Sequence, residues 1–153
     1  MCARSGKRLP TQAEWFAISA AQLSDTSLCN QSSGRVAKNG SVQTCTSAEG
    51  IFDLVGNLWE WTSDDVMDGT IDGITLPASG YVASINNAGL PLTTAATPSP
   101  AFGLDYAWLS ESGHFGVIRG GYYDSQGDGG RYAFHAKTPP NNASAGVGFR
   151  CVQ

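Results

Sequence analysis

A cysteine stands at either end of this 153-residue chain, Cys2 and Cys151, and two more, Cys29 and Cys45, lie in its N-terminal part. No spacing among them resembles Cys-x-x-Cys, so a zinc site has little support. Four cysteines allow three pairings. The most economical joins Cys2 to Cys151, clamping the two ends, and Cys29 to Cys45, closing a polar loop. In the chain-entropy model the first bridge is worth about 5 kcal/mol and the second about 3 kcal/mol. Two bridges imply an oxidising compartment or an exported particle. The competing reading is four reduced, buried thiols.

The length fits one domain, 1–153, with a real hydrophobic core. Charged residues make up 14%, against roughly 25% in average globular proteins, while glycine reaches 19 residues and aromatics 10%. That composition describes a rigid, loop-rich domain, not a disordered one. The net charge of -4 and the lack of a basic stripe argue against a nucleic-acid partner. No apolar run approaches the roughly 20 residues needed to cross a bilayer, so membrane insertion is not expected. The start, Met1-Cys2-Ala3-Arg4, leads straight into polar sequence and shows no signal-peptide pattern. The compartment is therefore argued from the cysteines.

Residues 8–22, RLPTQAEWFAISAAQ, predict a helix. Thr11 is a good N-cap, Glu14 three positions later completes a capping box, and Pro10 sits just before the cap. Trp15, Ile18 and Gln22 recur at helical spacing and suggest one apolar face. Residues 24–47 are polar and rich in Ser, Asn and Gly, which reads as an irregular loop. In GIFDLVGNLWEWTSDD, Gly56-Asn57 is a turn signal. Trp59 and Trp61 alternate around Glu60, so on a strand both rings lie on one face and supply core area. Residues 68–110 hold Gly, Thr, Pro, Ala and Ser with scattered apolar residues. They predict short strands and loops, with room for an inserted lobe. FGVIRGGYY and AGVGFRCV read as strands, and Gly120-Gly121 permits a tight turn or close backbone approach.

Three phrases occur in order: GKRLPTQAEW, GIFDLVGNLWEWTSD, and VIRGG with a terminal GFRCV. Together they resemble the formylglycine-generating-enzyme family, a branch of the C-type lectin fold, with 68–110 the weakest part of the likeness. The resemblance implies an α+β, loop-rich domain with short antiparallel strands and one or two helices. Family members often join a Cys just before GKRLPT to the Cys of GFRC, and Cys2 and Cys151 occupy those places. They also bind calcium around the GNxWEW turn; the matching positions are Asp53, Gly56, Leu58 and Glu60, whose oxygens suit Ca²⁺. No other cofactor is implied.

In the family's oxidases, two cysteines after RGG activate oxygen through copper. Here that segment reads RGGYYDSQGDGGRYAFHAK, and the two positions fall near Ser125 and Gly130. Neither residue offers a soft thiolate for Cu(I), so the family's enzymatic activity is not expected. There is no HxH, HExxH or GxSxG pattern to replace it. His135 with Asp124 or Asp128, and Ser125 as nucleophile, would be the minority, enzymatic reading.

The same segment is rich in residues that suit binding: Tyr122, Tyr123, Asp124, Ser125, Asp128, Arg131, Tyr132, Phe134, His135, Lys137 and Thr138. Tyr, Arg, Ser, Asp and Gly on a rigid frame compose antibody paratopes. The stretch from RGG to GFRCV resembles the variable region of diversity-generating retroelement target proteins, which vary at adenines of template codons such as AAC. Those changes yield Tyr, His, Asp, Ser, Thr, Gly and Arg. That resemblance implies a non-catalytic protein with a diversified surface, a protein or cell-surface ligand, and an extracellular, cell-surface or virion location. The alternative is a fixed-specificity adhesion or lectin-like domain, although the EPN and QPD sugar-binding motifs are absent.

Overall fold

Thr11 and Glu14 start the one α-helix among the residues described by the computed structural model, 2–20 and 28–153. The Thr11 Oγ1 accepts the Glu14 backbone N–H at 3.1 Å, and Glu14 Oε2 accepts the Thr11 N–H at 2.8 Å. This reciprocal capping box satisfies two donors that a helix start otherwise leaves open. Arg8 grips the same carboxylate from outside and, with the Thr11 N–H, holds its pKa down to about 2. Helix α1 (Gln12–Ala20) buries Gln12, Trp15, Phe16 and Ser19. That is an i, i+3, i+4, i+7 stripe, so Phe16 takes the place expected for Ile18, which is only half-buried. Gln22 lies outside the described residues.

The rest is dominated by sheet. Strands β1 (Trp59–Met67), β2 (Thr70–Ile71), β3 (Ile74–Thr75), β4 (Gly80–Ile85), β5 (Pro91–Ala95), β6 (Tyr106–Leu109), β7 (His114–Arg119), β8 (Phe134–Thr138) and β9 (Val147–Phe149) form one sheet. Its order is β3-β2-β1-β7-β8-β6-β4-β5, with β9 beside β1. Two pairings, β1 with β9 and β6 with β8, are parallel, which departs from the antiparallel expectation. Both link distant segments of chain, whereas tight turns can join only antiparallel neighbours. Residues 68–110 are not a separate lobe: β2 to β6 lie there and complete both flanks of the sheet.

The main core, between the sheet and its covering loops, gathers Val66, Ile71, Leu76, Val82, Leu90, Val117 and Phe134. Both disulfides are formed, Cys2–Cys151 with Cα atoms 5.6 Å apart and Cys29–Cys45 with Cα atoms 5.0 Å apart. Beside the first, Arg8 and Val152 exchange backbone hydrogen bonds at 3.0 and 2.8 Å, so the chain ends are sewn together twice. The second pins the 28–50 loop, where Cys45 and Val55 pack in a small cluster of their own. Two bridges of this kind fit an oxidising compartment. No described helix is long and apolar enough to cross a membrane.

Candidate ligand-binding site

The four central strands carry two rows of side chains on opposite faces. In one row, Glu60 on β1 pairs with Arg119 on β7, Arg119 with Phe134 on β8, and Phe134 with Ala107 on β6. The next row is Trp61, Ile118, His135 and Trp108. Successive residues of a strand point to opposite faces, so the rows cannot share a side. The first row turns towards α1. Arg119, with no exposed surface, lies 5.3 Å from the Trp15 ring centroid, 5.8 Å from Phe16 and 5.1 Å from Phe134. Burial lowers its pKa to about 9, while burial raises the neighbouring Asp105 carboxyl to about 8. The second row, from Ile118 to Trp108, floors an open recess of about 560 Å³.

The rim of that recess is the loop that follows β7. Gly120 sits at φ +95°, and a Cβ there would stand 2.3 Å from the Leu54 carbonyl oxygen, so only glycine lets the chain turn past the core. The loop is then anchored by main-chain atoms. The Tyr123 N–H donates to the Asn57 carbonyl at 3.1 Å, its carbonyl accepts the Gly34 N–H at 3.1 Å, and the Gln126 N–H donates to the Gln31 carbonyl at 2.9 Å. Asn57 at φ +62° supports this from below: its side chain bonds both the N–H and the carbonyl of Ala37. One side chain also participates: Ser125 Oγ accepts the Tyr122 N–H at 2.8 Å.

Seven of the residues singled out from the sequence line the recess: Tyr122, Tyr123, Asp124, Ser125, Asp128, His135 and Thr138. Lys137 is exposed and outside the lining. Three others lie elsewhere, on or beside the core. Phe134 has no exposed surface and belongs to the core. Tyr132 packs against that core, 5.4 Å from the Phe102 ring, and the Arg131 guanidinium lies 4.8 Å from the Phe16 centroid. A paratope role for Phe134 therefore has no surface to act through. Conversely, Trp59, Trp108, Gln126, Asn142 and Ser144 line the recess although the composition of the loop after Gly121 does not point to them. The sequence marks Trp59 only as scaffold, and Trp108 sits in the segment with the weakest pattern, where its one signal is the alternation of Tyr106-Ala-Trp-Leu.

Trp59 and Trp108 meet edge to face at 5.4 Å, and the His135 ring packs 5.6 and 5.7 Å from them. Burial among these rings drives the His135 pKa down to about 4, so the imidazole is neutral at physiological pH. Its Nδ1 accepts the Lys137 N–H at 3.3 Å. Desolvation pushes the Asp128 carboxyl up.

The surroundings of Ser125 and Gly130 are tightly filled. Gly121 and Gly129 close on Ser125, whose Oγ would stand 2.9 and 2.6 Å from Cβ atoms at those two glycines. A Cβ at Gly130 would lie 2.4 Å from Asp105 Oδ1. The candidate calcium residues also have other partners. Both Glu60 oxygens accept Arg150 Nε at 2.7 Å, and Oε2 accepts Trp15 Nε1 at 2.8 Å. Asp53 Oδ2 accepts the Gly40 N–H, and the Gly56 carbonyl accepts the Leu58 N–H. Arg150 already balances the Glu60 charge, so as the side chains stand Asp53 is the carboxylate of the set that no cation of the chain meets.

Compared with known families, residues 1–153 match the model described as "Sulfatase-modifying factor enzyme 1-like domain". No curated protein matches the chain.

Proposed function

The chain belongs to the sulfatase-modifying factor enzyme 1-like domain family, and from that premise we propose that it is a non-catalytic, ligand-binding member on a C-type-lectin-like scaffold. Its segment after Arg119-Gly120-Gly121 is a diversified surface, the target of a diversity-generating retroelement. The observation that carries this reading is how the rim is held. The loop from Tyr122 to Asp128 is tethered through main-chain donors and acceptors, while Tyr122, Tyr123, Asp124, Gln126 and Asp128 contribute side chains to the recess. A backbone-tethered loop keeps its shape when those side chains change, which is what a varied binding surface requires. The scaffold draws its stability from other groups: the Cys2–Cys151 bridge, Trp15, and the Glu60–Arg150 pair.

Ser125 is the exception within the rim. It is 9% exposed and its hydroxyl organises the turn, so variation there is confined to residues able to accept the Tyr122 N–H. The filled surroundings of Ser125 and Gly130 support the absence of oxidase chemistry, since a thiol at 130 would collide with Asp105.

The deciding experiment is to sequence the DNA around the gene. A reverse transcriptase and a template repeat matching the 3′ end, with substitutions at template adenines, are expected; a neighbourhood with neither overturns the retroelement role. The second reading, a fixed-specificity adhesion domain on the same recess, is then the one that stands.

A further inference from the structure

We propose that the recess recognises a basic side chain, a lysine or arginine of a protein partner, seated over its aromatic floor with its charge against Asp124 and Asp128. This inference rests on the ligand-binding reading of the same recess and adds the chemistry of what enters it. The lining holds two carboxylates and no lysine or arginine, although the chain has nine such cations. Arg131, which follows the rim in sequence, is drawn away over the Phe16 and Tyr132 rings. Lys137 shares the face of His135 on β8 and is exposed outside the lining, where its charge reaches the imidazole but no side-chain bond ties it to either Asp.

The two carboxylates are also unpaired with any cation of the described residues. Asp124 receives one side-chain hydrogen bond, from Gln126 Nε2 at 3.3 Å. No described residue donates to the Asp128 carboxylate or pairs with it, and it is partly shielded from water. A partly desolvated carboxylate without a cation gains most from a partner that brings one. His135 does not fill that place, because its ring packs beside both indoles and stays neutral.

The floor and near wall supply the complementary half of the chemistry. Trp59 and Trp108 stand edge to face, and Tyr122 and Tyr123 pair at 5.0 Å on the rim. Aromatic faces attract a cation within about 6 Å of the ring centre, and the aliphatic stem of Lys or Arg packs on the same surface. A neutral glycan would find aromatic and hydrogen-bonding groups here as well, but would leave both carboxylate charges uncompensated. The electrostatics favour the basic side chain.

The test is selection of a random peptide library on the immobilised full chain, followed by affinity measurements on the enriched peptides. Lys or Arg at one anchoring position is expected. Asp124→Asn with Asp128→Asn should weaken binding by about tenfold or more and flatten its salt dependence. Replacing the peptide cation by norleucine should do the same. Both Asp side chains reach solvent, and near-UV circular dichroism checks that the double variant keeps its fold. If enriched peptides carry no basic anchor, or ignore the Asp changes yet lose binding on Trp108→Ala, the cation inference falls and the binding site stands. Saturable binding of a neutral glycan that is lost on Trp108→Ala has the same meaning. If no peptide or glycan depends on Trp108 or Tyr122, both readings fall.

Discussion

The Arg150 guanidinium reaches across the molecule to Glu60, placing Nε 2.7 Å from both carboxylate oxygens, with Trp15 Nε1 on the same carboxylate at 2.8 Å. One buried acid thus ties the C-terminal segment, the first strand and the helix. The carboxylate is buried and the guanidinium only partly so, with side-chain exposures of 8% and 26%. Breaking a buried pair costs about 3–5 kcal/mol, because the remaining charge is stranded. Arg150→Met should therefore destabilise more than Glu60→Gln, which leaves a guanidinium that is about a quarter exposed and that water can reach. Urea denaturation of the two single variants and the double variant measures this, and the double should cost less than the sum of the singles.

The same pair makes a prediction about calcium. Because Arg150 already neutralises Glu60, adding millimolar Ca²⁺ or a chelator should leave the melting temperature unchanged within about 1 °C. A rise on adding Ca²⁺ that is lost on Asp53→Ala would show that the turn holds a cation after all.

His135 links the recess to pH. Its folded pKa is depressed to about 4 from the ordinary 6.5 by burial. The unfolded chain therefore binds the proton first as pH falls, and His135 contributes stability that is complete above about pH 6.5. That contribution fades between about pH 6.5 and 4 and amounts to roughly 2–3 kcal/mol. Stability measured at pH 7, 5.5 and 4.5 should fall less steeply in His135→Gln than in the parent chain. Parallel slopes would show that the imidazole is solvated.

Placing cysteines at positions 125 and 130 should not create an oxidase. At position 130 a Cβ would meet Asp105 Oδ1 at 2.4 Å, so Gly130→Cys forces the buried acid to move. A cost of about 1–3 kcal/mol is expected, as for other overpacked sites. Ser125→Cys with Gly130→Cys, loaded with copper, should show no turnover of a cysteine-containing sulfatase peptide. Formylglycine formation detected by mass spectrometry would reverse that conclusion.

The disulfides should be unequal. Removing Cys2–Cys151 by paired Ala substitutions is expected to cost about 5 kcal/mol, against about 3 kcal/mol for Cys29–Cys45, if unfolded-chain entropy dominates. The ratio is readable from denaturation midpoints at fixed slope.

Much of the architecture is legible in the sequence. The Thr11–Glu14 capping box, the turn at Gly56-Asn57, the clamp between the chain ends and the strand before Gly120 all depend on residues close in sequence or on cysteines few enough to pair by economy. Short strands within 68–110 were legible, but not their places on the two flanks of the sheet. Strands β2 to β6 are short and mixed with Gly, Pro and Ser, and they gain their stability from neighbours rather than from their own pattern. Within the candidate site, composition marked the right loop, and Tyr122, Tyr123, Asp124, Asp128, His135 and Thr138 do share one recess. Composition could not say that Phe134 faces the core while His135 faces the recess, nor that Trp108 would join it. Sequence by itself determined the local devices and the chemical character of the loop after Gly121, and it favoured the bridge between the ends that the structure forms. Tertiary structure alone decided which side chains meet, because strand register across β1, β7, β8 and β6 assigns each residue to one face, and a shift of a single residue would exchange the two rows.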